Sequence, residues 1–262
     1  MIITLTTDYG FKESSLAVLK GGLLSKLGKD IHIIDITHEI ENFNLSETAY
    51  VLGGSWRHFP DNTIHICTVH SFYTKNPNLI LIKHHNHFFL GPDNGIFSLM
   101  FRFSSDDARI VGKLRHNETT DLKRIICEVV EQLANGIPFN EIGDFIETPT
   151  ERLILNSIST KSQIQGTIVH IDRYENLVLN ITKKQYETIS NNRPFRLFYK
   201  RHSYLDKLSN HYGEVPLGEP LCFFNQAGYL QLSVNCGKAA SLLSLKLDDT
   251  LFLKFIDEIQ DL

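Results

Sequence analysis

In the first half of the chain, short unbroken apolar runs alternate with segments whose apolar residues recur every three or four positions. The runs Ile2 to Thr6, Ile31 to Ile36, Thr63 to Val69, Leu79 to Ile82 and Phe88 to Leu90 have the length of buried strands. Leu16, Leu19, Leu23 and Leu27 fall on one face of a helix over Ser14 to Leu27, and Ser46 to Trp56 follows the same period. A third helix is expected from Thr120 to Asn135, stopped by Gly136 and Pro138. Alternation of this kind predicts an α/β domain with a mostly parallel sheet. Lys83-His84-His85-Asn86-His87 separates two apolar runs and predicts a local hairpin.

After Gly143 the sequence becomes polar and rich in Ser and Thr through Lys161, and beyond it strand follows strand. Gln165 to Ile171, Leu177 to Ile181, Phe195 to Tyr199, Pro220 to Phe224, Tyr229 to Val234 and Leu251 to Phe255 are punctuated by Gly and Pro, the pattern of a small barrel or sandwich. The expected organisation is an α/β domain over 1–150, a linker over 151–161 and a smaller all-β domain over 162–262.

Composition narrows the function. The 262 residues are 42% hydrophobic and 21% charged, which is ordinary globular content. A formal charge of -4 without long runs of one sign gives no footprint for nucleic acid or an anionic membrane, leaving a small-molecule substrate and protein partners as the expected classes. Cys67, Cys127, Cys222 and Cys236 lie singly in apolar segments, as reduced core residues do, and no run reaches the roughly 18 to 20 apolar residues of a membrane span. A cytoplasmic protein is expected. His84, His85 and His87 have no carboxylate or thiolate nearby in sequence, so a metal site is not expected.

Two stretches carry candidate chemistry. Thr7-Asp8-Tyr9-Gly10 follows the first strand and delivers a carboxylate to the sheet edge, where α/β proteins bind ligands. Such a carboxylate can accept both hydroxyls of a ribose, or simply serve as a turn residue. Ile171-Asp172-Arg173-Tyr174-Glu175-Asn176 interrupts a strand pair with an acid and an amide. Asn176 offers donors and an acceptor for a base edge, and the bland alternative is a hairpin corner satisfying its own backbone.

Taken in order, Thr7-Asp8-Tyr9-Gly10, Asp35-Ile36-Thr37-His38-Glu39-Ile40, Gly91-Pro92-Asp93-Asn94-Gly95, Ile171 to Leu177 and Asn235-Cys236-Gly237-Lys238-Ala239-Ala240 resemble the S-adenosylmethionine hydroxide adenosyltransferase family, relatives of the S-adenosylmethionine-dependent fluorinases and chlorinases. The resemblance implies an α/β N-terminal domain, a β-rich C-terminal domain and a homotrimer binding S-adenosylmethionine between neighbouring subunits. It makes Asp8 the ribose ligand, Ser15 a contact to the methionine end and Phe43 a wall beside the sugar. Asp172 and Asn176 match contacts to the amino acid portion and the adenine, and Phe224, Gln226, Asn235 and Ala239 match the base-binding region. Glu175 stands where glycine is usual, and an acid in its place is expected to disturb the turn that aims Asn176.

The implied reaction is attack of water or hydroxide on the ribose C5′ with methionine departing, giving adenosine and requiring no metal or other cofactor. The family's water-activating Asp, Arg and His are not preserved: His70 falls at the Asp position, Pro77 at the Arg position and Asp121 at the His position. His70 and Asp121 are the candidate catalytic pair if the two approach each other, with Lys75 and His116 as alternatives. If they do not, Asp121 is a favourable helix-start acid and the chain is an adenosine or S-adenosylmethionine binder without turnover. Asp121 and Leu122 also argue against a halide site, since a carboxylate repels an anion.

Overall fold

The first apolar run forms β1 (Ile2–Thr6), buried from Ile3 onward, in a computed structural model that describes residues 1–101, 103–115, 119–152 and 157–256. The chain separates into two compact units, Met1–Ile154 and Leu155–Leu262. The first continues through α1 (Ser15–Leu27), β2 (His32–Thr37), α2 (Leu45–Ser55), β3 (Ile64–Cys67), β4 (Asn78–His84), β5 (His87–Pro92), α3 (Ile96–Met100), β6 (Ala108–Lys113), α4 (Thr119–Ala134) and β7 (Asp144–Phe145).

The sheet order is β2-β1-β3-β5-β4-β6-β7. Pairings from β2 through β5 are parallel, whereas β4, β6 and β7 pair antiparallel. The sheet is therefore mixed, which corrects the expectation of a mostly parallel one. The cause is local. His85 and Asn86 take φ of 44° and 62°, the positive pair of a two-residue hairpin turn, and reverse the chain directly from β4 into β5. The short strands β6 and β7 then extend the antiparallel side.

One sheet face is covered by α1 and α4, whose Leu16, Leu19, Leu23, Leu122, Ile126 and Val130 pack with Ile3 and Leu5 in one core cluster. Glycine permits the close approach, since a Cβ on Gly22 would lie 3.0 Å from the Cys127 sulfur. On the other side Leu52, Trp56, Phe89, Phe97 and Phe101 form a second cluster. Its histidines are packed into it. His84 stacks on Phe101 at 4.0 Å, His87 meets Trp56 at 5.2 Å, and His65 Nε2 lies 3.1 Å from His87 Nδ1.

The second unit contains β8 (Ile158–Ser159), β9 (Gln163–Ile171), β10 (Leu177–Thr182), α5 (Lys183–Ser190), β11 (Phe195–Lys200), β12 (Ser203–Leu205), β13 (Pro220–Phe224), β14 (Tyr229–Val234), α6 (Ala239–Leu243) and β15 (Thr250–Phe255). Its antiparallel sheet runs β12-β11-β15-β9-β10-β14-β13, with β8 added on β9. A bridge from Leu208 to Cys222 carries the chain after β12 against β13, so the sheet nearly closes on a core including Ile164, Ile168, Leu179, Leu197, Leu232 and Leu253. The unit is not all-β, because α5 and α6 interrupt the strands. Helix α5 has few apolar positions, but the Thr182 hydroxyl caps it by accepting from the Gln185 N–H at 3.2 Å. Of the expected linker 151–161, residues 153–156 lie outside the described residues.

Candidate functional site

The carboxyl ends of the parallel strands bring together residues that are far apart in sequence. The chain runs from β1 to β2 on one side, then crosses to β3 on the other, so the gap between β1 and β3 is where the strand order reverses. Crevices in α/β sheets form at such points. Asp8 follows β1, Phe43 lies beyond β2, His70 follows β3 and Asn94 follows β5.

Asp8 organises this cluster. Its Oδ2 accepts from the backbone N–H of His70 at 3.1 Å and of Phe43 at 3.4 Å. Both donors belong to residues with positive φ, 50° at His70 and 69° at Phe43, a strained conformation outside glycine that concentrates at functional sites. Asn94 holds the loop from the far side, its amide donating to the carbonyls of Val69 at 3.1 Å and His70 at 3.2 Å. The rings of Phe43 and His70 meet edge to face at 5.1 Å, and Phe43 is 63% exposed, leaving an open aromatic face beside the carboxylate.

Behind Asp8, buried groups fix the strand end. The Thr7 hydroxyl lies 3.0 Å from Nδ1 of the fully buried His38. His38 Nε2 stands 3.0 Å from Asp35 Oδ1, off the line of a hydrogen bond. Burial would raise Asp35, yet the hydrogen bond from Lys20 and the neighbouring His38 ring hold it below the usual carboxylate range. Burial pushes the Tyr9 phenol up to about 12, so it stays protonated. Asp93, raised by burial, accepts from the Thr150 N–H at 2.8 Å and hydroxyl at 3.1 Å. Sequence reasoning assigned no role to Asn94, His38 or Asp93, although each lies in a stretch that carried the family resemblance.

The other expected residues of this unit are placed as follows. Ser15 is the first residue of α1 and half-buried. Asp121 Oδ1 accepts from Arg124 at 2.9 Å on the first turns of α4, and the His70 ring meets Phe43 and Tyr73. Lys75 is exposed, and His116 lies outside the described residues.

In the second unit the structure gathers Asp172, Asn176, Asn235 and Ala239 at one end. Asp172 Oδ1 accepts from the N–H groups of Tyr174 at 2.9 Å and Asn176 at 2.8 Å, and Oδ2 accepts from the Asn176 amide at 2.8 Å. Glu175 takes φ of 61°, the left-handed conformation a glycine would adopt. Its carboxylate bonds the Ser241 hydroxyl at 2.5 Å, the Ser241 N–H at 3.0 Å and Lys238 at 2.9 Å, and its carbonyl accepts from the Ala240 N–H. The turn is thus tied to the start of α6 instead of being disturbed by the acid. Those Ser241 and Lys238 bonds hold Glu175 down at about 2. Asn235 is buried and donates to the Val215 carbonyl at 2.8 Å, and Ala239 is fully buried. Phe224 and the exposed Gln226 lie at the β13–β14 turn, the far end of the six-residue β14 from Asn235 and about 17 Å away along an extended strand.

A carboxylate presented at a strand-order reversal beside an open aromatic ring defines an α/β ligand-binding protein extended by a β-rich second domain. More narrowly, residues 3–143 match the SAM hydroxide adenosyltransferase N-terminal domain and residues 166–252 match the C-terminal domain of the same name, so the chain belongs to this family. It is 27% identical to an (R)-S-adenosyl-L-methionine hydrolase of Methanocaldococcus jannaschii over 99% of this chain and 95% of the relative. A protein of the same description from Thermus thermophilus is 22% identical over 92% of this chain and 94% of the relative. The crystal structure of a conserved Thermotoga maritima protein superposes with a TM-score of 0.81 at 24% identity, covering 97% of this chain and all of that one, which establishes the shared fold.

Proposed function

We propose that the protein hydrolyses S-adenosylmethionine, with hydroxide attacking the ribose C5′ and methionine leaving as a neutral thioether to give adenosine. The observation that carries this reading is Asp8, preset by two backbone N–H groups at the strand-order reversal of a chain related end to end to S-adenosylmethionine hydrolases. Asp8 receives the ribose hydroxyls, Phe43 walls the sugar and Ser15 meets the methionine end. Asp172, Asn176, Asn235 and Ala239 serve the amino acid and base, with Phe224 and Gln226 as outlying members.

The sulfonium is already a good leaving group, so the protein's work is to align and desolvate the attacking oxygen. The His70 imidazole, on a residue whose backbone N–H bonds the Asp8 carboxylate, is the base assigned to this oxygen, with Asp121 as the second member of the pair. The scheme uses no metal or cofactor. A homotrimer in the cytoplasm is the assembly and location we assign; free thiols at Cys67, Cys127, Cys222 and Cys236 support a reducing compartment.

A specific observation favours a second reading. Asp121 is bound by Arg124 and Pro77 occupies the family's Arg position, as expected of a nucleoside binder without turnover. Chromatography for released adenosine, alongside calorimetry with S-adenosylmethionine and adenosine, separates the two. Turnover that His70→Ala abolishes while binding survives supports the hydrolase, tight binding without turnover supports the binder, and loss of both ligands rejects either.

A further inference from the structure

The outward face of the second unit carries a feature that the nucleoside reaction does not use. Strand register sets Tyr204 opposite Phe198, Phe198 opposite Phe252, Phe252 opposite Gln165 and Gln165 opposite Ile158, one continuous row across β12, β11, β15, β9 and β8. Tyr204 is 39% exposed, Phe252 38% and Ile158 65%. Because neighbouring strands lie about 4.8 Å apart, the three rings span about 10 Å, a platform of base-stacking dimensions.

Cations flank this row on both sides. Arg196 and Lys254 are direct cross-strand partners, and Lys200 and Arg201 stand at the other edge. Like charges placed opposite each other destabilise a strand pair unless an anion lies between or above them. Among the described residues no carboxylate pairs with Arg196, Lys200, Arg201 or Lys254. Arg196 instead lies 4.7 Å from the Tyr204 ring centroid and Lys254 5.5 Å from that of Phe198, so the cations border the rings. Gln163 and Gln165 add amide donors and acceptors, and a groove of about 430 Å³ runs between Phe198, Phe252, Lys200 and Lys254.

Aromatic rings aligned across a sheet and bordered by cations that, among the described residues, have no ion-pair partner form a surface complementary to exposed bases on a phosphate backbone. We infer that this face of β11, β12 and β15 binds single-stranded nucleic acid. Arg196, Lys200 and Arg201 lie close together along the chain, and the strand pairing adds Lys254 to them although the net charge of the chain is -4.

The test is fluorescence anisotropy of the whole protein with a labelled single-stranded thymidylate dodecamer, its duplex, heparin and thymidine monophosphate. The expected result is preference for the single strand, weakened about fivefold or more by Phe252→Ala. Lys254→Glu is expected to lower the slope of log affinity against log salt by about 0.7. Adenosine binding and melting temperature, unchanged in both variants, show that the fold is intact. The inference is overturned by absence of single-strand binding, by binding indifferent to Phe252→Ala, or by equal affinity for duplex or heparin, which marks a plain polyanion surface. A monophosphate that binds as tightly as the dodecamer also overturns it, in favour of a mononucleotide pocket.

Discussion

A carboxylate that accepts two backbone N–H groups from different loops is more than a surface charge, and Asp8 shows what one residue contributes here. Asp8→Asn places an amide where two donors converge, so either a clash of donors or a rotated side chain follows. Charged hydrogen bonds lost in this way weaken adenosine binding by about tenfold to a hundredfold, measurable by titration calorimetry. His65 illustrates a different residue effect. It is fully buried, its Nδ1 lies 2.7 Å from the Thr4 hydroxyl, and burial followed by the neighbouring His87 pushes its pKa down to about 3. An unfolded chain therefore takes up this proton first, near its ordinary value of 6.5. The stabilising contribution is complete above pH 6.5 and is lost as the pH falls toward 3, so the urea midpoint should drop across that window and drop less in His65→Gln.

At the scale of elements, tight approaches decide which substitutions are tolerated. A Cβ on Gly91 would sit 2.5 Å from the Cys67 carbonyl oxygen and 3.0 Å from the Phe97 ring, between β3, β5 and α3. Gly91→Ala should cost about 1 to 3 kcal/mol in denaturant unfolding. At the start of α2 the Asn44 side chain accepts from the Glu47 N–H at 2.9 Å, and Asn44→Ala should cost about 1 kcal/mol in the same measurement. Elements with a strong period were legible in the sequence, as the α1 leucines show. Strand β6 was not, because Ala108, Gly112 and Lys113 dilute its apolar residues and Gly112 is there to admit Ile125. The candidate site was legible at Asp8, where a strand visibly ends on an acid. It was opaque at Asn94 and His38, whose roles arise only when β3 and β2 come alongside β1. Glu175 looked like a broken glycine turn for the same reason: its partners Lys238 and Ser241 are distant in sequence.

For the whole molecule, the two units hold separate cores. The clusters around Leu19 and Phe89 belong to the first, and the cluster around Leu232 lies wholly in the second. The near-closed sheet of the second unit leaves little unpaired edge, since the Leu208–Cys222 bridge occupies the strand that would otherwise end it. Residues 155–262 expressed alone should therefore give a β-type circular dichroism spectrum and a cooperative melt; a featureless melt would show that its core depends on the rest of the chain.

Half of the Asp8 carboxylate is engaged before any guest arrives, with one oxygen moored to the loops after β2 and β3. The anchorage fixes the direction of the second oxygen, so the sugar diol we propose there would meet a rigid post, and little of the binding energy need go into shaping the receptor.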